Sequence, residues 1–220
     1  MHALRPLAIL GGTFDPVHFG HLRVAWEAAE YLDADVNLMP ANAPPHRAPP
    51  VASAVQRLAL LRAALAGQSR LGIDDRELCR DGPSYTVETL TAMREEIGSE
   101  RSVVLLVGAD AWAGLPDWHR WRELFELAHI GVLSRAGHEI VESAALATER
   151  RDRRSRDPSA LHDRAAGRVI EIRVSALEIS ATHVRSELAA GREPRFLVPA
   201  ALLADPSLLS VYATNAVVPK

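Results

Sequence analysis

Residues 7–29 read "LAILGGTFDPVHFGHLRVAWEAA". The four apolar residues 7–10 suit a buried strand, and Gly11 and Gly12 follow at once, where the lack of a Cβ lets the chain turn sharply and lets a ligand approach the backbone. Asp15-Pro16 then restarts the chain toward a helix, with Asp expected as N-cap and Pro in the first turn. A helix start presents unpaired N–H groups, so it suits an anion. His18 and His21, three residues apart at that start, share a face and can point at one bound group.

The same alternation continues along the chain. Strands are predicted at 7–10, 35–39, 71–74, 102–108, 129–134 and 168–174, and helices at 20–32, 53–66, 84–97, 121–128 and 180–190. Continuously apolar strands separated by helices predict an α/β fold: a Rossmann-like, doubly wound parallel sheet with helices on both faces. Ligands of such sheets bind at the carboxyl ends of the strands. The chain is expected to form a single domain over 1–220, with a small helical part from about 178. Two segments break the rhythm. "PANAPPHRAPP" (40–50) is proline-rich and predicted extended, while the charged stretch 149–168 is predicted to be a solvated loop. Aspartates interleave its arginines and it has no aromatic residue for stacking bases, so nucleic-acid binding is not expected. Asp205-Pro206 should break the closing helix.

Composition narrows the chemistry. Apolar residues make up 48% of the 220 and the formal net charge is −3, so an anion site must be built locally rather than by a basic surface. Cys79 is the single cysteine, which excludes an internal disulfide framework and a multi-cysteine zinc site and suits a reducing cytoplasm. No apolar run approaches the roughly 18 residues of a membrane span, and "PLAILGG" is too short for a signal-peptide core. Lys220 is the only lysine, which excludes a P-loop lysine. Phosphate would have to be held by arginine, histidine and backbone amides.

A second anion site is readable in "EISATHVRSEL" (178–188), where Ser180 can cap a helix and Thr182 and Arg185 lie three apart on its face. Arg47, in the proline-rich loop, could add a third cation. Bland readings compete at each point: two unrelated surface histidines, a cap with a surface arginine, Trp118 and Trp121 as core on one helical face, and Asp110 as a helix cap. A metal held by His18 and His21 is disfavoured because only two ligands are local, and no metal site is expected.

"GGTFDPVHFGHL" resembles the T/H-x-G-H signature of the nucleotidyltransferase superfamily, and "ISATHVR" is similar to its I-S-x-T-x-x-R motif. "PPHR", "GPSYTVETL", "LLVGADAWAGLPDWHRW" and "LVPAALL…VY" resemble, in order, segments of the bacterial nicotinate-nucleotide adenylyltransferase family. That resemblance implies AMP transfer from ATP to nicotinate mononucleotide, with Mg²⁺ accompanying the ATP. It implies that Gly11, Gly12, Thr13 and Phe14 line the nucleotide site and that His18 and His21 contact the ATP phosphates. Ser180, Thr182 and Arg185 would hold the β- and γ-phosphates, Arg47 would face the phosphates where the substrates meet, and Gly108 and Asp110 would border the adenosine. Thr86, Trp118 and His119 would form the nicotinate pocket. The expected partners are thus ATP and nicotinate mononucleotide, with no nucleic acid and no membrane, and the oligomeric state, homo-oligomer included, is left open. Two other readings share the first motif: adenylyl or cytidylyl transfer to another acceptor such as phosphopantetheine, and a non-catalytic nucleotide sensor. The Trp118 segment and "GPSYT" argue against the former; intact His18, His21 and Arg185 argue against the latter.

Overall fold

A computed structural model describes residues 5–42, 49–80, 82, 84–135, 141–175 and 177–213. In chain order the first half reads β1 (Leu7–Gly12), α1 (Phe19–Leu32), β2 (Asp35–Pro40), α2 (Ala54–Ala64), β3 (Leu71–Ile73), α3 (Thr86–Ile97) and β4 (Val103–Gly108). The second half reads α4 (Ala109–Ala113), α5 (Leu124–Leu127), β5 (His129–Arg135), α6 (Ala144–Arg153), β6 (Arg154–Ser155), β7 (Val169–Val174), α7 (Ala181–Ala189), α8 (Ala200–Ala204) and α9 (Ser210–Ala213). The seven strands form one sheet in the order β3-β2-β1-β4-β5-β7-β6, and every pairing is parallel.

That order reverses direction at β1. The chain steps outward from β1 to β2 and β3, then returns to lay β4 on the other side of β1, with Leu7 opposite both Asp35 and Val103. Loops leaving β1 and β4 therefore diverge to opposite faces and open a crevice at the carboxyl ends of these two strands. Side chains of β1 alternate between two cores, as strand geometry requires. Ala8 and Leu10 join Ala25, Ala28 and Leu32 of α1 and Leu60 and Leu61 of α2. Leu7 and Ile9 join Leu90 and Met93 of α3 and Phe125 of α5. The doubly wound expectation is met.

The expected loop at 149–168 is corrected. Helix α6 runs to Arg153, β6 pairs with β7 at Arg154 opposite Val169, and a 3₁₀ turn at Pro158–Leu161 buries Leu161 in the core. His162 Nε2 lies 3.0 Å from the Leu32 carbonyl at the end of α1. The arginines that suggested a solvated segment are partly taken up by acids: Arg150 meets Glu142 at 2.7 Å, and Arg153 meets Glu149 at 2.9 Å. A helix whose buried side is little more than Leu146 gives no apolar period to detect. At the other end Asp205 stops α8 as expected, and its Oδ1 accepts from Ser207 N–H at 3.0 Å to cap the 3₁₀ turn that precedes α9.

Candidate active site

The stretch between β1 and α1 sits at the crevice mouth. Gly12, the last residue of β1, has no room for a side chain, since a Cβ there would lie only 2.9 Å from Phe14 Cζ. Phe14 itself takes a left-handed backbone (φ 50°), so Thr13 and Phe14 fold back over the strand end. The Phe14 ring is fully buried and meets the His21 imidazole edge-on, with centroids 4.9 Å apart.

Asp15 is not the cap of α1, which corrects the sequence expectation. The helix begins at Phe19, with His18 in the N-cap position and no side-chain capping bond, and Phe19 N–H donates instead to the Leu197 carbonyl at 2.9 Å. Asp15 turns inward. Its Oδ2 accepts from Val51 N–H at 2.8 Å, and its Oδ1 accepts from Ala52 N–H at 3.0 Å and from the Tyr212 hydroxyl at 2.8 Å. The Asp15–Pro16 peptide is cis.

His18 and His21 come together as the spacing suggested, their rings stacked with centroids 3.7 Å apart and planes inclined by 27°. His18 is 5% exposed, and burial lowers its pKa from 6.5 to about 4, so at neutral pH it is an uncharged imidazole. Its Nδ1 is buried without a hydrogen-bond partner among the described residues. Gly20, between the two histidines, has no room for a side chain. A Cβ there would lie 2.9 Å from both Cε1 and Nδ1 of His18 and 3.2 Å from the Ile179 carbonyl oxygen. The first motif thus packs directly on the second.

In that second motif Ser180 caps α7, accepting from His183 N–H at 3.1 Å. Arg185 Nη2 donates to Thr182 Oγ1 at 3.2 Å, and Nη1 donates to the Asp15 backbone carbonyl at 2.7 Å across 170 residues of sequence. Both helix starts therefore serve one place. Gly108 ends β4 two residues beyond the Leu10–Leu106 pairing, level with Gly12, and it and Asp110 are exposed on the first turn of the short α4.

The remaining expected residues lie on the β4 side. Thr86 is the first residue of α3, Trp118 is half-buried against the second core cluster, and His119 is exposed. The Tyr85 and His119 rings meet with centroids 4.7 Å apart, which brings "GPSYT" and "DWHRW" to one spot. Trp121 is core, as the bland reading of that pair had it, while Trp118 is not fully covered. Arg47 lies outside the described residues.

Several supporting residues gave no sequence signal. Arg57 is 1% exposed inside α2 and its Nη1 donates to the Thr13 carbonyl at 2.9 Å and the Ala41 carbonyl at 2.8 Å, pinning the β1 and β2 loops to each other. Asn42 Nδ2 donates to the Arg80 carbonyl at 2.8 Å. Buried Glu77 accepts from Thr89 Oγ1 at 2.9 Å, and burial raises its pKa. An arginine in a helix reads as surface, and only the fold discloses otherwise.

The two motifs thus meet at the switch point of a parallel sheet, where sheets of this kind bind their ligands. The cytidylyltransferase-like family model matches residues 9–187. A protein of Pseudomonas entomophila named "Probable nicotinate-nucleotide adenylyltransferase" is 46% identical over 92% of this chain and 92% of its own. One of the same name from Pseudomonas syringae pv. tomato is 48% identical over 91% and 90% of the two chains. The solved structure of Plasmodium falciparum nicotinic acid mononucleotide adenylyltransferase complexed with NaAD superposes with a TM-score of 0.67 over 96% of this chain and 97% of that one, at 13% identity, which speaks for the fold. The chain belongs to the cytidylyltransferase-like nucleotidyltransferases and, within them, to the nicotinate-nucleotide adenylyltransferase family.

Proposed function

We propose that the protein transfers the adenylyl group of ATP to nicotinate mononucleotide, forming deamido-NAD and releasing pyrophosphate. The observation that supports this reading is the bond from Arg185 Nη1 to the Asp15 carbonyl, which ties the second motif to the loop between β1 and α1 that carries the first. The identity of the relatives supplies the acceptor.

A phosphate oxygen of the acceptor attacks the α-phosphorus of ATP while the bond from that phosphorus to the bridging oxygen breaks, and pyrophosphate leaves with the electron pair. The acceptor phosphate is already anionic, so neither a covalent enzyme intermediate nor a strong base is required. The protein's work is alignment and stabilisation of developing charge. His21 and His18 face the transferring phosphate, His18 as a neutral imidazole that contributes a hydrogen bond rather than a positive charge. Arg185, Thr182 and the N–H groups at the start of α7 hold the β- and γ-phosphates that depart. Thr13 and Phe14 carry the backbone beneath the nucleotide, and Gly108 and Asp110 border the adenosine. Trp118, His119 and Thr86 receive the pyridine ring, with Trp118 as the stacking surface.

Among the described residues no three His, Cys, Asp or Glu side chains gather into a metal site, and both Asp15 oxygens are engaged by protein donors. Mg²⁺ is expected to accompany the ATP, where it would neutralise phosphate charge. Among the described residues no helix is long and apolar enough to cross a membrane. The test is pyrophosphate release from ATP with nicotinate mononucleotide, nicotinamide mononucleotide and phosphopantetheine offered in turn. Efficient turnover of the first alone supports the reading; turnover with phosphopantetheine alone refutes it.

A further inference from the structure

Asp15 and Tyr212 lie 197 residues apart, yet Tyr212 is 1% exposed with its hydroxyl on Asp15 Oδ1. Burial, and then the bond to Asp15, push the Tyr212 phenol well above its ordinary range, so it stays a donor. The Asp15 carboxylate thereby accepts from three protein donors, two of them the backbone amides of Val51 and Ala52. The same residue's carbonyl holds Arg185, whose Nη1 also stands 3.9 Å from Asp15 Oδ2. Buried Arg57, bound to the neighbouring Thr13 carbonyl, adds positive charge close to both Asp15 and Tyr212. From α9, the buried Tyr212 hydroxyl ends on Asp15, the residue whose carbonyl accepts from Arg185.

We propose that Tyr212 is a positioning residue for the ATP side of the site: through Asp15 it fixes the guanidinium of Arg185, so that the last described helix sets how the triphosphate is held. This rests on the adenylyl-transfer reading above and names a residue outside its machinery. If the hydroxyl is removed, Asp15 loses one of its three donors while the aromatic ring keeps its packing. The carboxylate can then shift, and the carbonyl that orients Arg185 shifts with it.

Tyr212→Phe tests the idea with direct titration of ATP and separate KM values for ATP and for nicotinate mononucleotide. The expected result is a roughly five-fold or greater weakening toward ATP, with the acceptor KM within about two-fold of wild type. A double-mutant cycle supplies the second measurement. In an Arg185→Lys background, where the two-pronged contact is already gone, adding Tyr212→Phe should change ATP affinity by less than about two-fold. Unchanged ATP affinity in Tyr212→Phe, equal weakening toward both substrates, or full additivity with Arg185→Lys each overturns the proposal. Failure of the underlying reading is separate: it would appear as absence of turnover in the wild-type protein itself.

Discussion

Replacing Gly20 by alanine adds one methyl group at the place where the two motifs touch. By helix propensity alone an alanine near the start of α1 should stabilise the protein by up to about 1 kcal/mol. The local geometry predicts the opposite. The new Cβ would sit 2.9 Å from His18 Cε1 and Nδ1 and 3.2 Å from the Ile179 carbonyl oxygen, whereas comfortable carbon contacts lie at roughly 3.5–4.0 Å. About half an ångström or more must be found. The His18 ring cannot simply swing away, because it is buried and stacked 3.7 Å from His21, and the other neighbour is backbone. Overpacking of this kind costs about 1–3 kcal/mol, and for a chain of this size each kcal/mol lowers the melting temperature by roughly 2–4 °C. On the proposed role of His18 at the transferring phosphate, displacing its imidazole should lower kcat by roughly ten- to a hundred-fold. The assays are thermal unfolding and pyrophosphate release at saturating ATP and acceptor. A Gly20→Ala protein with a raised melting temperature and kcat within two-fold of wild type would refute the packing of His18 on this glycine.

The depressed pKa of His18 makes stability pH-dependent. The unfolded state, with its ordinary value of 6.5, binds the proton that the folded state refuses until about pH 4, so stability is full above pH 6.5 and is lost as pH falls toward 4. Between pH 7 and pH 5 this group should cost about 2 kcal/mol, read by urea unfolding at each pH; a His18→Asn protein showing the same loss would assign it elsewhere. Arg185→Lys keeps the charge but not the paired donors, and ATP affinity should fall roughly ten-fold; an unchanged dissociation constant would return Arg185 to an ordinary surface contact. Trp118→Ala should lower kcat/KM for nicotinate and nicotinamide mononucleotides by a similar factor, since stacking on the indole serves both rings. A mutant that lost only the preference between them would show instead that Trp118 takes part in recognising the carboxylate.

Elements governed by local pattern were legible. The apolar runs that became β1, β4, β5 and β7 lie within a residue or two of their expected ends, because buried parallel strands are continuous in sequence. That the residues within each motif come together was legible because each motif is contiguous: His18 and His21 stack, and Arg185 meets Thr182. The layer beneath was not legible. Asp15 looked like a cap because Asp-Pro suits a helix start, but the carboxylate finds Val51, Ala52 and Tyr212, partners that local sequence cannot name. Arg57 and Tyr212 are anchors only because the fold buries them against residues distant in sequence, Thr13 and Ala41 for the one and Asp15 for the other. The 149–168 stretch misled for a related reason: its burial rests on single residues, Leu146 just before it and Leu161 within it, set among charges.

Direct transfer between two aligned nucleotides, with no protein group entering the reaction covalently, can be followed with ATP radiolabelled at the α-phosphate in a single turnover with nicotinate mononucleotide. The label is expected to pass from ATP into deamido-NAD at the rate pyrophosphate appears, never to reside on the protein, and to transfer at least about a hundred-fold more slowly in His21→Ala. Label trapped on the protein, or unimpaired transfer by a folded His21→Ala variant, would contradict it.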